Sequence, residues 1–238
     1  MKKRTVMILT FVLFGLTGTF SYAGEKEVAY DLATLFRSAR GVISKNQSHI
    51  NDPNVGDKGL SADKVIADAK ANFKAATAKD LDESNSFVQA ELTAIADVMN
   101  EAQDLINEEG KGFKGFLPAV FAAQVASRFS KNQKGKAKIK LTAPKKYVRN
   151  RKNRPDKWEH AVIEKTFKSS GHEKGKTVSE VTEVKGKKAF RFILPEYYKE
   201  SCLKCHGGPK GELDITGGKK EGGTLGELGG AISVILYQ

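Results

Sequence analysis

Cysteine, methionine and tryptophan are scarce in this sequence, with two, three and one residues among 238. A structural zinc site normally needs four Cys or His ligands, and the sequence contains no second cysteine pair to complete one. No nucleophile–base pair, paired acid motif or metal-ligand cluster is recognisable either. These absences argue against a hydrolase, and we expect that the protein is not an enzyme.

The two cysteines lie in one short motif, Cys202-Leu203-Lys204-Cys205-His206. Thiols separated by two residues can add across the vinyl groups of a haem while the adjacent imidazole ligates its iron. The spacing predicts one haem c, attached at Cys202 and Cys205, with His206 as the proximal ligand. A disulfide between the two cysteines stays open as an alternative. A thioredoxin-like redox pair is disfavoured, because the following Gly207-Gly208-Pro209 forbids immediate helix continuation.

The N-terminus has the pattern of a secretory signal peptide. A basic start, Lys2-Lys3-Arg4, precedes the apolar run Val6–Phe20, and Ser21-Tyr22-Ala23 forms a small-x-small cleavage site before Gly24. A membrane anchor is the alternative, but the apolar run is shorter than the about 20 residues that a spanning helix needs. Residues 1–23 are therefore predicted to be cleaved, and the protein is expected in the periplasm, where c-type haem is attached.

The sequence is strongly basic, with a formal net charge of +12. In an exported protein this charge favours an acidic redox partner or another anionic surface rather than nucleic acid. The basic run from Lys131 to Lys157 contains a single aromatic side chain of the kind that stacks on bases, Tyr147, before Trp158 follows it, and we interpret the run as a solvated face. We expect a redox partner protein and no nucleic acid.

Three segments of the N-terminal half carry apolar residues in steps of three and four, which is typical of amphipathic helices. The first begins at Glu25 and is broken by polar and glycine residues at 51–59. The second begins after Ser61, a good N-cap, and the third ends at Gly110. The heptad-like stripes on long helices predict either an antiparallel hairpin or a homodimer contact, and both alternatives stay open.

The pattern changes in the second half of the sequence. Pro118 fits the first turn of a further helix, and Asp156 can cap a short one. Alternating or β-branched segments predict strands over Lys138–Thr142, Thr177–Val184, Ala189–Leu194 and Ala231–Leu236. The middle two are joined around Lys185-Gly186-Lys187, a hairpin signal. Helices followed by strands predict an α+β fold with an antiparallel sheet.

With these segments placed, the sequence resembles the haem-binding, PAS-like periplasmic domain family, long catalogued as a domain of unknown function. The resemblance lies in four stretches in the same order, KGFLPAVFAAQVASRF from Lys114, KLTAPKKYVRNRKNRPDKWE from Lys140, CLKCHG from Cys202 and GELGGAISV from Gly226. It implies a PAS-like antiparallel sheet with long N-terminal helices. The expected organisation is a signal peptide over 1–23, a helical region over 24–110 and a PAS-like c-type haem domain over 111–238 that forms one unit with the helices.

The resemblance leaves the sixth iron ligand open. Some family members supply a cysteine from an upstream helix, but this sequence has no third cysteine. His49 continues the apolar stripe of the first helix and is the candidate distal ligand. Met99 is better explained as core filling, and His160 and His172 as surface residues. A Met, another His, a Lys or water are the alternatives.

The sixth ligand decides between two functions. Two protein ligands suit electron transfer, whereas an open position can bind a small gas. Our leading interpretation is a periplasmic monohaem c-type cytochrome that transfers electrons. The second is a stand-alone haem-based redox or gas sensor that signals through a partner protein.

Overall fold

The computed structural model describes residues 22–238. The predicted signal peptide, residues 1–23, lies almost entirely outside the described residues, so export stays a prediction. The helices are α1 (Tyr22–Lys45), α2 (Gln47–Ile50), α3 (Ala62–Thr77), α4 (Ser86–Asn107), α5 (Pro118–Asn132), α6 (Lys157–Ala161) and α7 (Glu200–His206). The strands are β1 (Ala137–Thr142), β2 (Val178–Val184), β3 (Lys187–Tyr197) and β4 (Leu228–Tyr237).

Local capping explains where several helices begin. The Ser61 hydroxyl accepts a hydrogen bond from the Lys64 backbone, and Asn85 caps α4 in the same way. Asp156 and Glu159 form a capping box at α6, which continues into a π-helical turn over Val162–Phe167. Pro118 occupies the first turn of α5. The helix starts predicted from Ser61, Pro118 and Asp156 are confirmed.

The four strands form one antiparallel sheet in the order β1-β4-β3-β2. The hairpin of β2 and β3 pairs Val181 with Phe190, and β4 lies between β3 and β1. A register shift between Glu196 and Tyr197 ends the regular pairing of β3 just before the cysteine motif. The predicted α+β fold, with N-terminal helices before an antiparallel sheet, is confirmed.

The sheet has a different hydrophobic cluster on each face. Phe190, Phe192 and Leu194 join the large cluster that includes buried residues of α1, α3, α4 and α5. Ile193, which alternates with them, belongs to a smaller cluster with residues of the π-helical turn. This alternation is the period-2 side-chain pattern of a strand. The N-terminal helices therefore pack on one face of the sheet, and the α6 region covers the other.

The apolar stripes on α3 and α4 are buried within this chain. Phe73 of α3 and Val98 of α4 have no exposed surface, and Met99 fills the same core. The stripes thus contribute to the core of this chain, and the homodimer contact stays a prediction. No helix within residues 22–238 is long and apolar enough to cross a membrane.

The cysteine motif differs from its sequence-based description. The sequence places it in a loop, whereas the structure forms the short helix α7 over Glu200–His206. The residues Glu200 to Cys205 include good helix formers, and Cys202 Sγ accepts a hydrogen bond from the Lys199 backbone at 3.4 Å. Gly207-Gly208-Pro209 follows the end of this helix, in agreement with the expectation that these residues stop helix continuation.

Candidate functional site

The motif lies at the end of β3, where the chain leaves the sheet. Cys202 and Cys205 are three residues apart on α7, so both side chains lie on neighbouring positions of one helix surface. Both thiols are free and partly exposed. Burial raises the pKa of the Cys205 thiol. The structure thus presents two unpaired thiols on the same short helix as His206.

His206 is oriented by two contacts. Its Nδ1 atom lies 2.9 Å from Glu221 Oε2. Its ring stacks on the Tyr198 ring, with centroids 5.4 Å apart and planes inclined by 15°. Since an ionised carboxylate can only accept, Nδ1 carries a hydrogen, and in the neutral imidazole Nε2 is the ring nitrogen with a lone pair. The arrangement leaves Nε2 as the atom that can ligate a metal.

Tyr198 forms a buried floor under the imidazole. A Cβ atom at either Gly223 or Gly229 would overlap the Tyr198 ring, so glycine is required at both positions for the ring to lie there. The Gly223 backbone also donates to the carbonyl of His206 at 2.7 Å. The glycine-rich segment 207–227 is therefore folded tightly against the end of α7.

Arg149 ties that segment to the motif. It follows the 3₁₀ turn Lys145–Tyr147, and its guanidinium donates to both Glu221 oxygens, Nε to Oε1 at 2.5 Å and Nη2 to Oε2 at 3.0 Å. Nη2 also donates to the Cys205 carbonyl at 2.7 Å and to the Lys219 carbonyl at 3.1 Å. Nη1 donates to Asp214. One side chain thus connects α7 with three points of the 207–227 segment.

The carboxylates of this network are held in their charged form. Burial alone would raise the pKa of Glu221, but hydrogen bonds from Arg149 and His206 outweigh it and lower that pKa. For Asp214, bonds from Thr216 and Arg149 outweigh burial and lower the pKa in the same way. The hydrogen bonds that Arg149 donates to Glu221 also raise the pKa of Arg149 against the opposing effect of burial. His206 therefore faces an ionised carboxylate.

The end of α1 approaches the motif from the other direction. Arg37 and Arg40 both form ion pairs with Glu196, at the end of β3. One turn later, Ser44 Oγ lies 3.3 Å from Ser201 Oγ, beside Cys202. Burial lowers the pKa of Arg40 to about 10, while the nearby Cys202 acts in the opposite direction. One serine and one arginine of α1 thus interact with residues of α7.

The hydrogen-bond contact of His49, unlike that of Ser44, lies away from the cysteine motif. His49 is exposed on α2, and its Nε2 atom lies 3.1 Å from the Lys58 carbonyl. Met99 is fully buried in the helical core, and His172 packs on Phe167 at 5.1 Å. His160 is partly exposed on α6. The distal ligand stays a prediction, and His49 would have to give up its bond to Lys58 to serve.

The donor set fits a covalently attached haem. It combines two free thiols, an imidazole whose Nε2 is available, and a carboxylate that fixes the ring by its other nitrogen, as metal-ligating histidines usually require. Among residues 22–238, no group of three or more His, Cys, Asp or Glu side chains is arranged to hold a metal ion by itself. A zinc site built from the motif therefore has no support in the described part of the chain.

Sequence reasoning missed three residues that shape this site, namely Tyr198, Glu221 and Arg149. Arg149 belongs to the basic run interpreted as a solvated face, and most of its neighbours there are indeed exposed. The paired glycines at 222–223 and 229–230 were a usable signal, because glycine runs often mark close approach of backbone to a ring. Nothing in the sequence indicated that Arg149 binds Glu221, which lies 72 positions later in the sequence.

Comparison with known proteins adds one finding. A model of the Tll0287-like family matches residues 62–236, which is more than half of the chain and includes the whole cysteine motif, Arg149 and Glu221. The matched region begins at α3, so α1 lies outside it. No curated protein and no solved structure matches the chain.

Proposed function

We propose that this chain, which belongs to the Tll0287-like family, is a periplasmic monohaem c-type cytochrome that transfers electrons. The observation that carries the proposal is the His206 contact with Glu221, because it leaves Nε2 for the iron next to two free thiols. The family is consistent with a cytochrome-like or sensor domain. Cys202 and Cys205 would hold the haem, which supplies one-electron iron chemistry when bound.

The protein's own contribution is to hold the proximal ligand rigidly. Tyr198 fixes the plane of the imidazole, and Glu221 fixes its tautomer. A ligand held in one orientation needs little rearrangement between the two oxidation states, which suits electron transfer. The basic surface, with a formal net charge of +12 for the whole sequence, favours an acidic redox partner.

A second function, a haem-based redox or gas sensor acting through a partner, is favoured by one observation. Ser44 of α1 lies beside Ser201 of α7, and Arg40 lies near Cys202; neither α1 side chain is a strong iron ligand. A site without a second strong ligand can bind a small gas, whereas a closed six-coordinate site cannot.

Haem attachment is tested first. The full chain is produced with haem-maturation machinery, denatured and extracted with acid acetone. We expect the haem to remain on the protein and the pyridine haemochrome to show the c-type band position. Release of all haem would sink the proposal. His206→Ala should retain the covalent haem but lose its low-spin spectrum, because attachment and ligation use different atoms.

Carbon monoxide then separates the two functions. Rapid, stoichiometric binding to the reduced protein supports the sensor and excludes a closed six-coordinate carrier. Absence of binding supports the carrier. If the protein does not bind carbon monoxide, His49→Ala is tested next. Carbon monoxide binding by this variant would identify His49 as the distal ligand, and continued absence of binding would assign the ligand to another residue.

A further inference from the structure

His206 is hydrogen-bonded at Nδ1 to a carboxylate, 2.9 Å away, rather than to a neutral backbone carbonyl. A carboxylate partner raises the basicity of a ligating imidazole and gives it partial anionic character. Ferric haem carries one more positive charge than ferrous haem. A more anionic ligand therefore stabilises the oxidised state and lowers the reduction potential.

The charge on Glu221 is poorly screened by solvent. Its side chain is only 10% exposed, so its interaction with His206 takes place in a less polar medium than water. Arg149 contacts both oxygens of the same carboxylate, at 2.5 and 3.0 Å. A guanidinium in this position withdraws negative charge from the oxygen that faces His206. The two residues therefore act on the imidazole with opposite signs.

From this geometry we propose that Glu221 and Arg149 are positioning residues that set the reduction potential of the site through the charge on His206. Glu221 lowers the potential, and Arg149 limits that effect. The inference rests on the proposed function, because it requires a haem whose iron is ligated by His206. It goes further by assigning a role to two residues that make no contact with the iron.

A purely structural role is the competing explanation. Arg149 also binds the carbonyls of Cys205 and Lys219 and the side chain of Asp214, so its loss would loosen segment 207–227 in any case. A fall in stability would not distinguish the two roles. The reduction potential does, because a structural role predicts no opposite shifts for the two residues.

The experiment is a spectroelectrochemical titration of the full chain with covalent haem, comparing Glu221→Gln and Arg149→Gln with the unchanged protein. Glutamine at 221 can still accept the bond from Nδ1 through its carbonyl oxygen, while its NH2 group replaces the oxygen that accepts from Arg149 Nε, so the negative charge and that one bond are lost. We expect Glu221→Gln to shift the equilibrium with a reference couple about tenfold towards the reduced form, which is about 59 mV upwards for one electron. Arg149→Gln should shift it in the opposite direction.

Glu212 provides a matched control for Glu221. It lies in the same segment and pairs with Lys220, with Nζ and Oε2 2.8 Å apart. Glu212→Gln removes the same charge from a side chain that is 53% exposed and should change that equilibrium by less than about twofold, since solvent screens the charge. A shift as large as that of Glu221→Gln would show that any charge removed from this segment changes the reduction potential, and it would overturn the proposal.

The other outcomes are equally decisive. Unchanged reduction potentials in Glu221→Gln and Arg149→Gln, or shifts of the same sign, would show that the two residues have only a structural role. Failure of the proposed function gives a different result, because the unchanged protein would then show no c-type haemochrome. A chain with covalent, His206-ligated haem and unshifted potentials would contradict this inference alone.

Discussion

Two arginines in this protein each hold two carboxylates, but in very different surroundings. Arg191 of β3 is 4% exposed, and its Nη2 lies 2.6 Å from Asp156 and 3.5 Å from Glu159 at the start of α6. Its guanidinium lies 4.4 Å from the centroid of the Trp158 ring. Arg149, beside α7, has a side chain that is 31% exposed and holds Asp214 and Glu221.

The difference lies in what the carboxylates contact next. Asp156 and Glu159 accept each other's backbone N–H groups in the capping box, and Lys140 also pairs with Glu159 at 2.9 Å. That cluster is closed and fastens α6 to the sheet. Glu221 instead contacts His206, a side chain with a second ring nitrogen available for other chemistry. Similar ion pairs thus stabilise a helix in one region and orient an imidazole in the other.

The largest effect is expected at Arg191. Arg191→Met leaves Glu159, which has no exposed surface, without one of its cations. Removing one partner of a buried pair typically costs about 3–5 kcal/mol of unfolding free energy. Urea unfolding measures the loss, and the pyridine haemochrome should stay unchanged. Lys168→Met, which removes a partly exposed pair with Glu164, is the control and should cost less than about 1 kcal/mol.

A buried carboxylate without an arginine extends the comparison. Glu91 of α4 has no exposed surface, neither carboxylate oxygen has a hydrogen-bond partner within the described residues, and burial raises its pKa well above the ordinary value. Because the folded-state pKa is raised, stability is fully present below the unfolded pKa and is lost as pH rises through the folded one. Glu91→Met should stabilise the protein by about 1–3 kcal/mol at pH 7.

The pH dependence checks the cause of that gain. Unfolding of Glu91→Met and of the unchanged protein is compared at neutral pH and near pH 4, where the carboxyl is protonated in both states and the advantage should shrink. Glu101→Met, on the exposed side of the same helix, is the control. A Glu91→Met protein less stable than the unchanged one at pH 7 would contradict the prediction and indicate a polar partner for Glu91.

A smaller loss is expected at Arg149. Arg149→Met removes its bonds to the 207–227 segment, but solvent reaches the side chain and replaces part of them. We expect a loss of about 1–2 kcal/mol, with faster proteolytic cleavage within 207–227. Limited proteolysis followed by mass spectrometry locates the cuts. A loss as large as that of Arg191→Met would remove the distinction between the two clusters.

The smallest effect is expected at Asp156. Burial alone would raise the pKa of Asp156, but hydrogen bonds from Arg191 and the Glu159 backbone outweigh it and lower that pKa. A lowered pKa contributes stability above the unfolded value, which is lost as pH falls through the folded value. Since the side chain is 43% exposed, we expect Asp156→Asn to cost up to about 1 kcal/mol at pH 7. The difference should vanish in acid, as measured by unfolding across pH.

Much of the fold was predictable because its signals are local. The stripe of α4, the Ser61 cap and the hairpin turn at Lys185-Gly186 each depend on residues close together in sequence. Of the candidate site, the sequence indicated Cys202, Cys205 and His206, because their chemistry is encoded by spacing, and their role in haem binding stays a prediction. The helical form of the motif was missed, because a helix of seven residues is too short to show clear apolar periodicity in the sequence.

The sequence by itself determined the α+β order of elements and the residues proposed to attach and ligate a haem. Only the tertiary structure decided that His206 meets Glu221 and Tyr198, that Arg149 joins them, and that α1 brings Arg40 and Ser44 to α7. The physical reason is the distance in sequence over which each kind of interaction acts. Helix periodicity and motif spacing act over a few residues, whereas the charge and orientation of the imidazole depend on groups brought together by packing across the whole sheet.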